Sequence, residues 1–267
     1  CGRISTERDT VRTSHGLLHR EVQQDKRLRT IYGATESLSV QDCVEALKSA
    51  QGKKKHERLQ KNLRDSVRGY PIRWNERAVV METAAYRLAF FGQESTDAVR
   101  SLIKFDDPWL QVNAAFIAGE IGINDPELSR NVSKMLHSPY HQVVRQAIDA
   151  LTFMEVNDAE GVLRQLKELV MHKRSDWQPP LVQRGWSASD QIDMNIAMFL
   201  LANCTQVEAR DLIDISNILL ENSNDYSSSI VAEALLRSGD AIAQNHATDY
   251  YQTRAWNTSL LGVTRAY

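Results

Sequence analysis

Residues that interrupt helices are scarce in this chain. Its 267 residues include 12 glycines and 6 prolines, and β-branched runs that alternate with polar residues are uncommon. Few helix breakers and few strand patterns together favour helices. Hydrophobic residues make up 42% of the chain and charged residues 25%, close to the average of folded proteins. The composition therefore predicts an all-α protein with a packed core.

Cysteine is also rare, with three residues in all. Cys1, Cys43 and Cys204 do not have the CxxC spacing of a zinc or redox site, and three cysteines are too few for a disulfide scaffold. Cys43 and Cys204 both fall on apolar faces of predicted helices. Because free cysteine is among the residue types most often buried, we predict that these two are buried thiols.

Long hydrophobic runs and catalytic motifs are missing from the sequence. The longest charge-free apolar stretch, Met194 to Val207, has 14 residues, fewer than the roughly 20 that a membrane-spanning helix needs. The chain has no nucleophile elbow, Walker loop, dinucleotide-binding glycine motif, zinc-protease motif or calcium-binding loop. These absences predict a protein that is not an enzyme and needs no cofactor.

Two histidine pairs have the four-residue spacing of metal ligands. His15 and His19 lack a third ligand nearby, whereas zinc sites need three or four. His137 and His141 flank Pro139, which prevents them from sharing a helix face. We therefore predict no metal site.

Charge is divided unevenly along the chain. Residues 1–77 contain 17 lysines and arginines against 10 acidic residues, a net charge of +7, and residues 78–267 contain 15 against 24, a net charge of −9. The overall charge of −2 hides this segregation. The two parts are expected to face different surroundings, or each other.

A short sequence pattern repeats at an interval of 30 residues. Ala84-Ala85-Tyr86, running to Gly92, is echoed by Ala114-Ala115-Phe116, running to Gly122. Asp107-Pro108-Trp109 is echoed 31 residues later by Ser138-Pro139-Tyr140. Self-similarity at this period is typical of a helical solenoid, in which each helix pair buries its apolar face against the next pair.

The repeated segment resembles the HEAT family. HEAT repeats pair two antiparallel helices, and Asp107-Pro108-Trp109-Leu110-Gln111-Val112, followed by Ala114, Ala115 and Ala118, fits their Asp-Pro, Val and small-residue pattern. A proline in the first helical turn lacks only an N–H that would be unpaired there. The resemblance implies a right-handed α-solenoid of HEAT-like helix pairs with a short helical N-terminal extension. The companion helices are predicted at Thr96–Lys104, Pro126–His137 and Ala159–His172.

Further segments are assigned from their local patterns. Ser39 and Asp42 predict a capping box at the start of a helix, helices are predicted again from Ala188, and residues 240–267 have no clear helical period. The predicted parts are an extended N-terminal segment at 1–35, a basic helical pair at 36–75, HEAT-like repeats at 76–175, a Trp/Pro-rich loop at 176–187, further helical pairs at 188–239 and a C-terminal tail at 240–267.

The first residues resemble the mature N-terminus of a bacterial lipoprotein. Such proteins begin with a cysteine that carries the lipids, and Cys1-Gly2-Arg3 is followed by a polar stretch from Ile4 to Thr13. The resemblance implies lipid attachment at Cys1 and a solvated tether. Because Gly2 is not aspartate, the resemblance also implies localisation at the periplasmic face of the outer membrane.

The second helix of the predicted pair at 36–75 is strongly basic. The simplest interpretation of this segment is a solvated helical face. It could otherwise bind anionic lipid head groups, an acidic partner protein or a nucleic-acid backbone. Nucleic acid is disfavoured, because the repeats that would form a groove belong to the acidic part, and none is predicted as a partner. The basic residues are Lys53, Lys54, Lys55, Arg58, Lys61, Arg64 and Arg68.

Apolar side chains are concentrated in a loop and in the tail. The loop either folds back over the solenoid or offers anchors to a partner, and tryptophan is over-represented among such anchors. The candidate partner-binding residues are Trp177, Pro179, Pro180, Leu181 and Trp186 in the loop and Trp256 in the tail.

These features predict a non-catalytic scaffold or adaptor. A lipid on Cys1 would hold it at the outer membrane, and the repeats would bind a protein of an envelope assembly such as a pilus, secretion system or flagellar motor. The alternatives are an enzyme of the bilin-lyase type, which shares short HEAT-like repeats, and a nucleic-acid-binding solenoid. The partner itself cannot be named from fold alone.

Overall fold

A computed structural model describes residues 26–49, 76–122, 124–172, 188–222 and 225–254. All regular secondary structure within these ranges is helical, as predicted from the composition. Two 3-10 helices, Gly92–Ser95 and Met135–His137, accompany the α-helices. The α-helices are α1 (Lys26–Glu36), α2 (Val40–Ser49), α3 (Glu76–Phe91), α4 (Thr96–Ile103), α5 (Pro108–Ile121), α6 (Pro126–Lys134), α7 (His141–Phe153), α8 (Ala159–Met171), α9 (Ala188–Asn203), α10 (Ala209–Asn222), α11 (Asp225–Arg237) and α12 (Ala241–Arg254).

The helices belong to two compact units. Unit 1 spans Cys1–Glu155 and contains α1 to α7, and unit 2 spans Val156–Tyr267 and contains α8 to α12. The division falls between α7 and α8. Each unit has its own buried side chains, so each is described by itself.

Alternate helices of unit 1 pack side by side. Helix α5 contacts α3 and α7, and these three form what we call the alanine row. Helix α4 contacts α2 and α6, and these three form the charged row. Each charged-row helix also packs against the alanine-row helix that follows it, and α1 packs on α3. The chain therefore alternates between two rows, so that each helix covers an apolar face of its neighbours.

Aspartate is the N-cap residue of α5, α6 and α8. Asp107, Asp125 and Asp158 each accept a hydrogen bond from a backbone N–H three residues later, at 3.0, 2.7 and 2.8 Å. Such caps satisfy N–H groups that have no partner inside the helix. Pro108 and Pro126 occupy the first helical position after their caps.

The predicted capping box is confirmed. The Ser39 hydroxyl accepts from the Asp42 N–H at 3.2 Å, and the Asp42 carboxylate accepts from the Ser39 N–H at 3.2 Å. The echo of Pro108 by Pro139 does not extend to the helix start, because α7 begins at His141 with Tyr140 as its N-cap. Ser138 has extended backbone angles, as expected of a residue before proline.

The two echoed glycines end corresponding helices. Gly92 follows α3 with a φ of 63° and Gly122 follows α5 with a φ of 62°. This left-handed conformation is unfavourable for residues with a Cβ atom, which explains glycine at both positions. The glycine echo therefore marks the ends of two equivalent helices.

Echoed residues also touch across the alanine row. The rings of Tyr86 and Phe116 lie edge to face, with centroids 5.3 Å apart and an interplanar angle of 82°. Between α5 and α7, a Cβ atom added to Gly119 would lie 3.0 Å from the Cα atom of Ala150. Small residues thus allow the close approach of helices that the alanine-rich pattern predicts.

Ion pairs connect α4 to α6 in the charged row. Arg100 pairs with Asp125, the N-cap of α6, and also with Asp97 at 2.6 Å. Lys104 pairs with Glu127 at 2.9 Å. The neighbouring guanidinium, together with backbone hydrogen bonds, lowers the pKa of Asp125 against the opposing effect of burial. Asp125 therefore serves both as a helix cap and as a link between two helices.

Unit 2 also pairs alternate helices. Helix α10 contacts α8 and α12, and α9 contacts α11. Ile196, Phe199 and Leu200 of α9 are buried and share one face of the helix. Lys167 of α8 pairs with Asp214 of α10 at 2.8 Å.

Helix α12 lies where the sequence predicts no helical period. Ala243, Ala247 and Tyr250 are its buried residues, spaced four and three apart, and Asp240 caps its first turn by accepting from the N–H groups of Ile242 and Ala243 at 2.9 Å. A stripe of two alanines and one tyrosine carries little hydrophobic contrast. The helical periodicity of the apolar residues is therefore weak, although Asp240 caps the helix.

Both predicted thiols are buried. Cys43 and Cys204 are free cysteines with 0% and 5% of their surface exposed. Burial raises the pKa of Cys43 to about 11 and also raises the pKa of Cys204. At neutral pH both are protonated thiols that fill the core. No helix within the described ranges is long and apolar enough to cross a membrane.

Candidate protein-interaction surface

The residues that the sequence singled out for binding lie outside the described residues. This applies to Cys1, to the basic segment from Lys53 to Arg68, to the loop residues 177–186 and to Trp256. Their proposed roles stay predictions. The candidate surface in the described part of the chain consists of other residues.

The helices of the alanine row all end in large apolar residues. Phe91 is the last residue of α3, Ile121 of α5 and Phe153 of α7, and all three are half-buried. Phe90, beside Phe91, is 84% exposed. We call these four residues the apolar rim.

Contacts inside the row place the ends of these helices at one level. Phe91 follows Tyr86 by five residues, and Ile121 follows Phe116 by five, while the two rings touch. At the other side, a Cβ atom added to Gly122 would lie 3.4 Å from the carbonyl oxygen of Phe153. The three helix ends are therefore neighbours along one edge of unit 1.

Arg87 fixes the first part of the rim. Its guanidinium lies over the Phe91 ring, 4.7 Å from the ring centroid, and its Nε donates to the carbonyl oxygen of Leu38. A cation over an aromatic face is favourable. The Phe91 ring is thus held from one side, while Phe90 projects into solvent.

Acidic residues follow the first and the last helix end of the rim. Glu94, in the turn after α3, and Glu155, two residues after α7, are exposed. Asp97 at the start of α4 has 91% of its side chain exposed, although it pairs with Arg100. The edge of unit 1 therefore combines an apolar line with negative charge.

Side chains that could bind a metal ion are not clustered in the part of the chain that the structure describes. Among them, no group of three or more histidine, cysteine, aspartate or glutamate side chains is placed to hold a metal ion. His137 and His141 lie in different helices, as their separation by Pro139 predicts. Burial, with a smaller contribution from Arg145, lowers the pKa of His141 to about 4, so this ring is neutral at pH 7.

The sequence interpretation missed the apolar rim, although a signal was present. Phe91-Gly92 and Ile121-Gly122 each place a large apolar residue directly before the glycine that ends a helix. Such a residue lies at the edge of the fold, where core packing covers it only in part.

Comparisons with protein-family models, with curated proteins and with solved structures find no match to this chain.

Proposed function

We propose that this chain is a non-catalytic scaffold or adaptor that binds protein, built as a right-handed solenoid of HEAT-like helix pairs. The observation that carries the proposal is the packing of the echoed residues. Tyr86 and Phe116 hold equivalent places in the 30-residue repeat and lie against each other. Stacked repeats present rows of helix ends and helix faces, which suit extended contacts with proteins.

Three carboxylates with lowered pKa values are consistent with this role. Asp125, Glu127 and Asp214 have pKa values lowered by hydrogen bonds to Arg100, Lys104 and Lys167, respectively. Those partners lie on neighbouring helices. The shifts therefore reflect links between helices, whereas shifts at a catalytic site usually prepare a proton transfer.

The proposal places the protein in a multi-protein assembly of a bacterial envelope. A lipid on Cys1 would hold it at the periplasmic face of the outer membrane, as the lipoprotein resemblance implies. Mass spectrometry of the protein isolated from its native cells tests this placement. Diacylated or triacylated Cys1 is expected, and an unmodified residue in a longer chain would exclude the anchor.

The scaffold role is tested by purification from native membranes after mild cross-linking. We expect a specific envelope protein to co-purify in a constant molar ratio and to co-elute on gel filtration. A preparation without such a partner that binds a tetrapyrrole, seen by its visible absorbance, would instead favour the bilin-lyase alternative.

A nucleic-acid role is tested separately with labelled duplex DNA and fluorescence anisotropy. Binding is expected to be weak and to vanish at moderate salt, because residues 78–267 carry a net charge of −9. Salt-resistant, sequence-dependent binding would contradict the scaffold proposal.

A further inference from the structure

We infer that the apolar rim binds an amphipathic helix of a partner protein, with apolar residues on one face and lysine or arginine on both sides of that face. This inference rests on the proposed scaffold function and assigns it a site and a class of partner. The rim consists of Phe90, Phe91, Ile121 and Phe153, all in unit 1.

The exposure of the rim points to a partner. Phe90 is 84% exposed, whereas Phe116, which packs on Tyr86 inside the row, is 3% exposed. A single exposed apolar residue is ordinary, but Phe90 directly precedes Phe91, one of three neighbouring helix ends that are half-buried. Aromatic residues in such positions commonly carry much of the binding energy of an interface.

The spacing of the rim matches a helix. Packed helices lie about 8–10 Å apart, so Phe91, Ile121 and Phe153 recur at about this interval. Two turns of an α-helix advance about 10.5 Å. A helix laid along the rim would therefore place residues i, i+7 and i+14 over the three helix ends, with apolar residues at i+3 and i+4 between them.

Charge complementarity selects the polar residues of the partner. The exposed carboxylates of Glu94 and Glu155 lie near the two ends of the rim, after Phe91 and Phe153. Lysine or arginine beside the apolar face would meet them. The same negative charge repels the anionic lipids of a bilayer surface, which favours a protein helix over a membrane.

The inference is tested with a designed peptide and the full chain. The probe is a fluorescein-labelled peptide of about 18 residues, about 27 Å long as a helix, with leucine on one face and lysine elsewhere. Its controls are a scrambled peptide of the same composition and an analogue with glutamate in place of lysine. Fluorescence anisotropy is expected to show saturable binding of the first peptide and at least tenfold weaker binding of both controls.

Matched variants locate the binding site. Phe90→Glu is expected to weaken binding of the leucine-lysine peptide at least tenfold, and Glu94→Lys with Glu155→Lys several-fold. Ile242→Glu is the control, because Ile242 is also an exposed apolar residue, 63% exposed, but lies in unit 2. Circular dichroism checks that each variant keeps its helices. Equal binding of the scrambled peptide, no binding of the designed peptide, or an unchanged Phe90→Glu variant would overturn the inference.

Other occupants of the rim give distinct results. Phe90-dependent binding to anionic phospholipid vesicles without peptide binding identifies a membrane surface. Phe90-dependent self-association in sedimentation identifies a second copy of the chain. Tighter peptide binding after reversal of the charges at Lys53, Lys54 and Lys55 identifies the chain's own basic segment. Each of these outcomes overturns the choice of a partner helix.

The scaffold proposal and the rim inference fail differently. If the native partner co-purifies with the Phe90→Glu variant as well as with the wild type, the scaffold role stands and the rim is not its site. If no partner co-purifies with the wild type, the scaffold proposal itself fails.

Discussion

The two rows of unit 1 have the same repeat period but are held together by different forces. In the alanine row, an edge-to-face ring pair and a contact between Gly119 and Ala150 join the helices. In the charged row, two ion pairs join α4 to α6, and one of them involves Asp125, the N-cap residue of α6. Salt does not screen buried apolar contacts, whereas it weakens partly exposed ion pairs. The difference predicts that loss of a ring contact in the alanine row costs more stability than loss of an exposed ion pair in the charged row.

Truncation of Phe116 is expected to lower the free energy of unfolding the most. Phe116→Ala removes a buried ring and its contact with Tyr86, and we expect unfolding to become easier by about 3–5 kcal/mol. Urea denaturation followed by circular dichroism measures this. Phe90→Ala is the control and is expected to change stability by less than about 0.5 kcal/mol, because its ring is exposed. Equal losses in the two variants would contradict the central place of the alanine row.

Acid is expected to weaken the two rows in different pH ranges. His141 has a folded-state pKa of about 4 against an ordinary value of 6.5. The unfolded chain therefore binds the additional proton first, and stability falls as the pH decreases from about 6.5 to about 4, by at most about 3 kcal/mol. Asp125 and Glu127 have lowered pKa values, so their contribution is lost only below their ordinary range.

Denaturation midpoints between pH 3 and pH 8 separate these contributions. His141→Gln should flatten the dependence above pH 4 and leave the more acidic part unchanged. Asp125→Asn should flatten the dependence below pH 4 and leave the part above pH 4 unchanged. If both variants retain the wild-type profile, neither group governs acid stability.

Enlargement of Gly119 tests the close approach of α5 and α7. Gly119→Leu is expected to destabilise the fold by about 1–3 kcal/mol, because its side chain would press on the backbone of Ala150. Gly33→Leu is the matched control, since Gly33 is an exposed helical glycine with no atom within 4 Å of an added Cβ. That control should be stabilising by about 0.5–1 kcal/mol from helix propensity alone.

The charged row should give the smallest effects. Asp125→Ala removes a helix cap and is expected to cost about 1–2 kcal/mol. Lys104→Met breaks only an exposed pair with Glu127 and should lie near the limit of detection, with its effect smaller still at high salt. Thermal unfolding at two salt concentrations measures both variants. A loss in Lys104→Met as large as that in Phe116→Ala would reverse the ranking of the two rows.

Local signals in the sequence predicted much of the fold. Ser39 and Asp42 announced their capping box, and Pro126 and Ala159 marked helix starts that the structure confirms. The burial of Cys43 and Cys204 followed from their apolar faces. These features depend on residues within one or two helical turns, where the sequence pattern and the structure are directly related.

Other features could not be read from local patterns. The start of α7 at His141 and the existence of α12 depend on packing that overrides a weak or misleading signal. The apolar rim was missed because an apolar residue at a helix end has the same pattern whether neighbours cover it or not. Only the positions of the neighbouring helix ends distinguish Phe90 from a core phenylalanine.

The sequence by itself determined the helical class, most helix starts and the 30-residue period, since caps, prolines and apolar spacing act over short distances along the chain. The tertiary structure decided which echoed residues meet, which row is joined by charge and which apolar side chains stay exposed. These outcomes depend on contacts between residues about 30 positions apart, such as Tyr86 with Phe116 and Gly119 with Ala150. Such contacts form only when whole helices pack, because a single helix cannot bury its own apolar face.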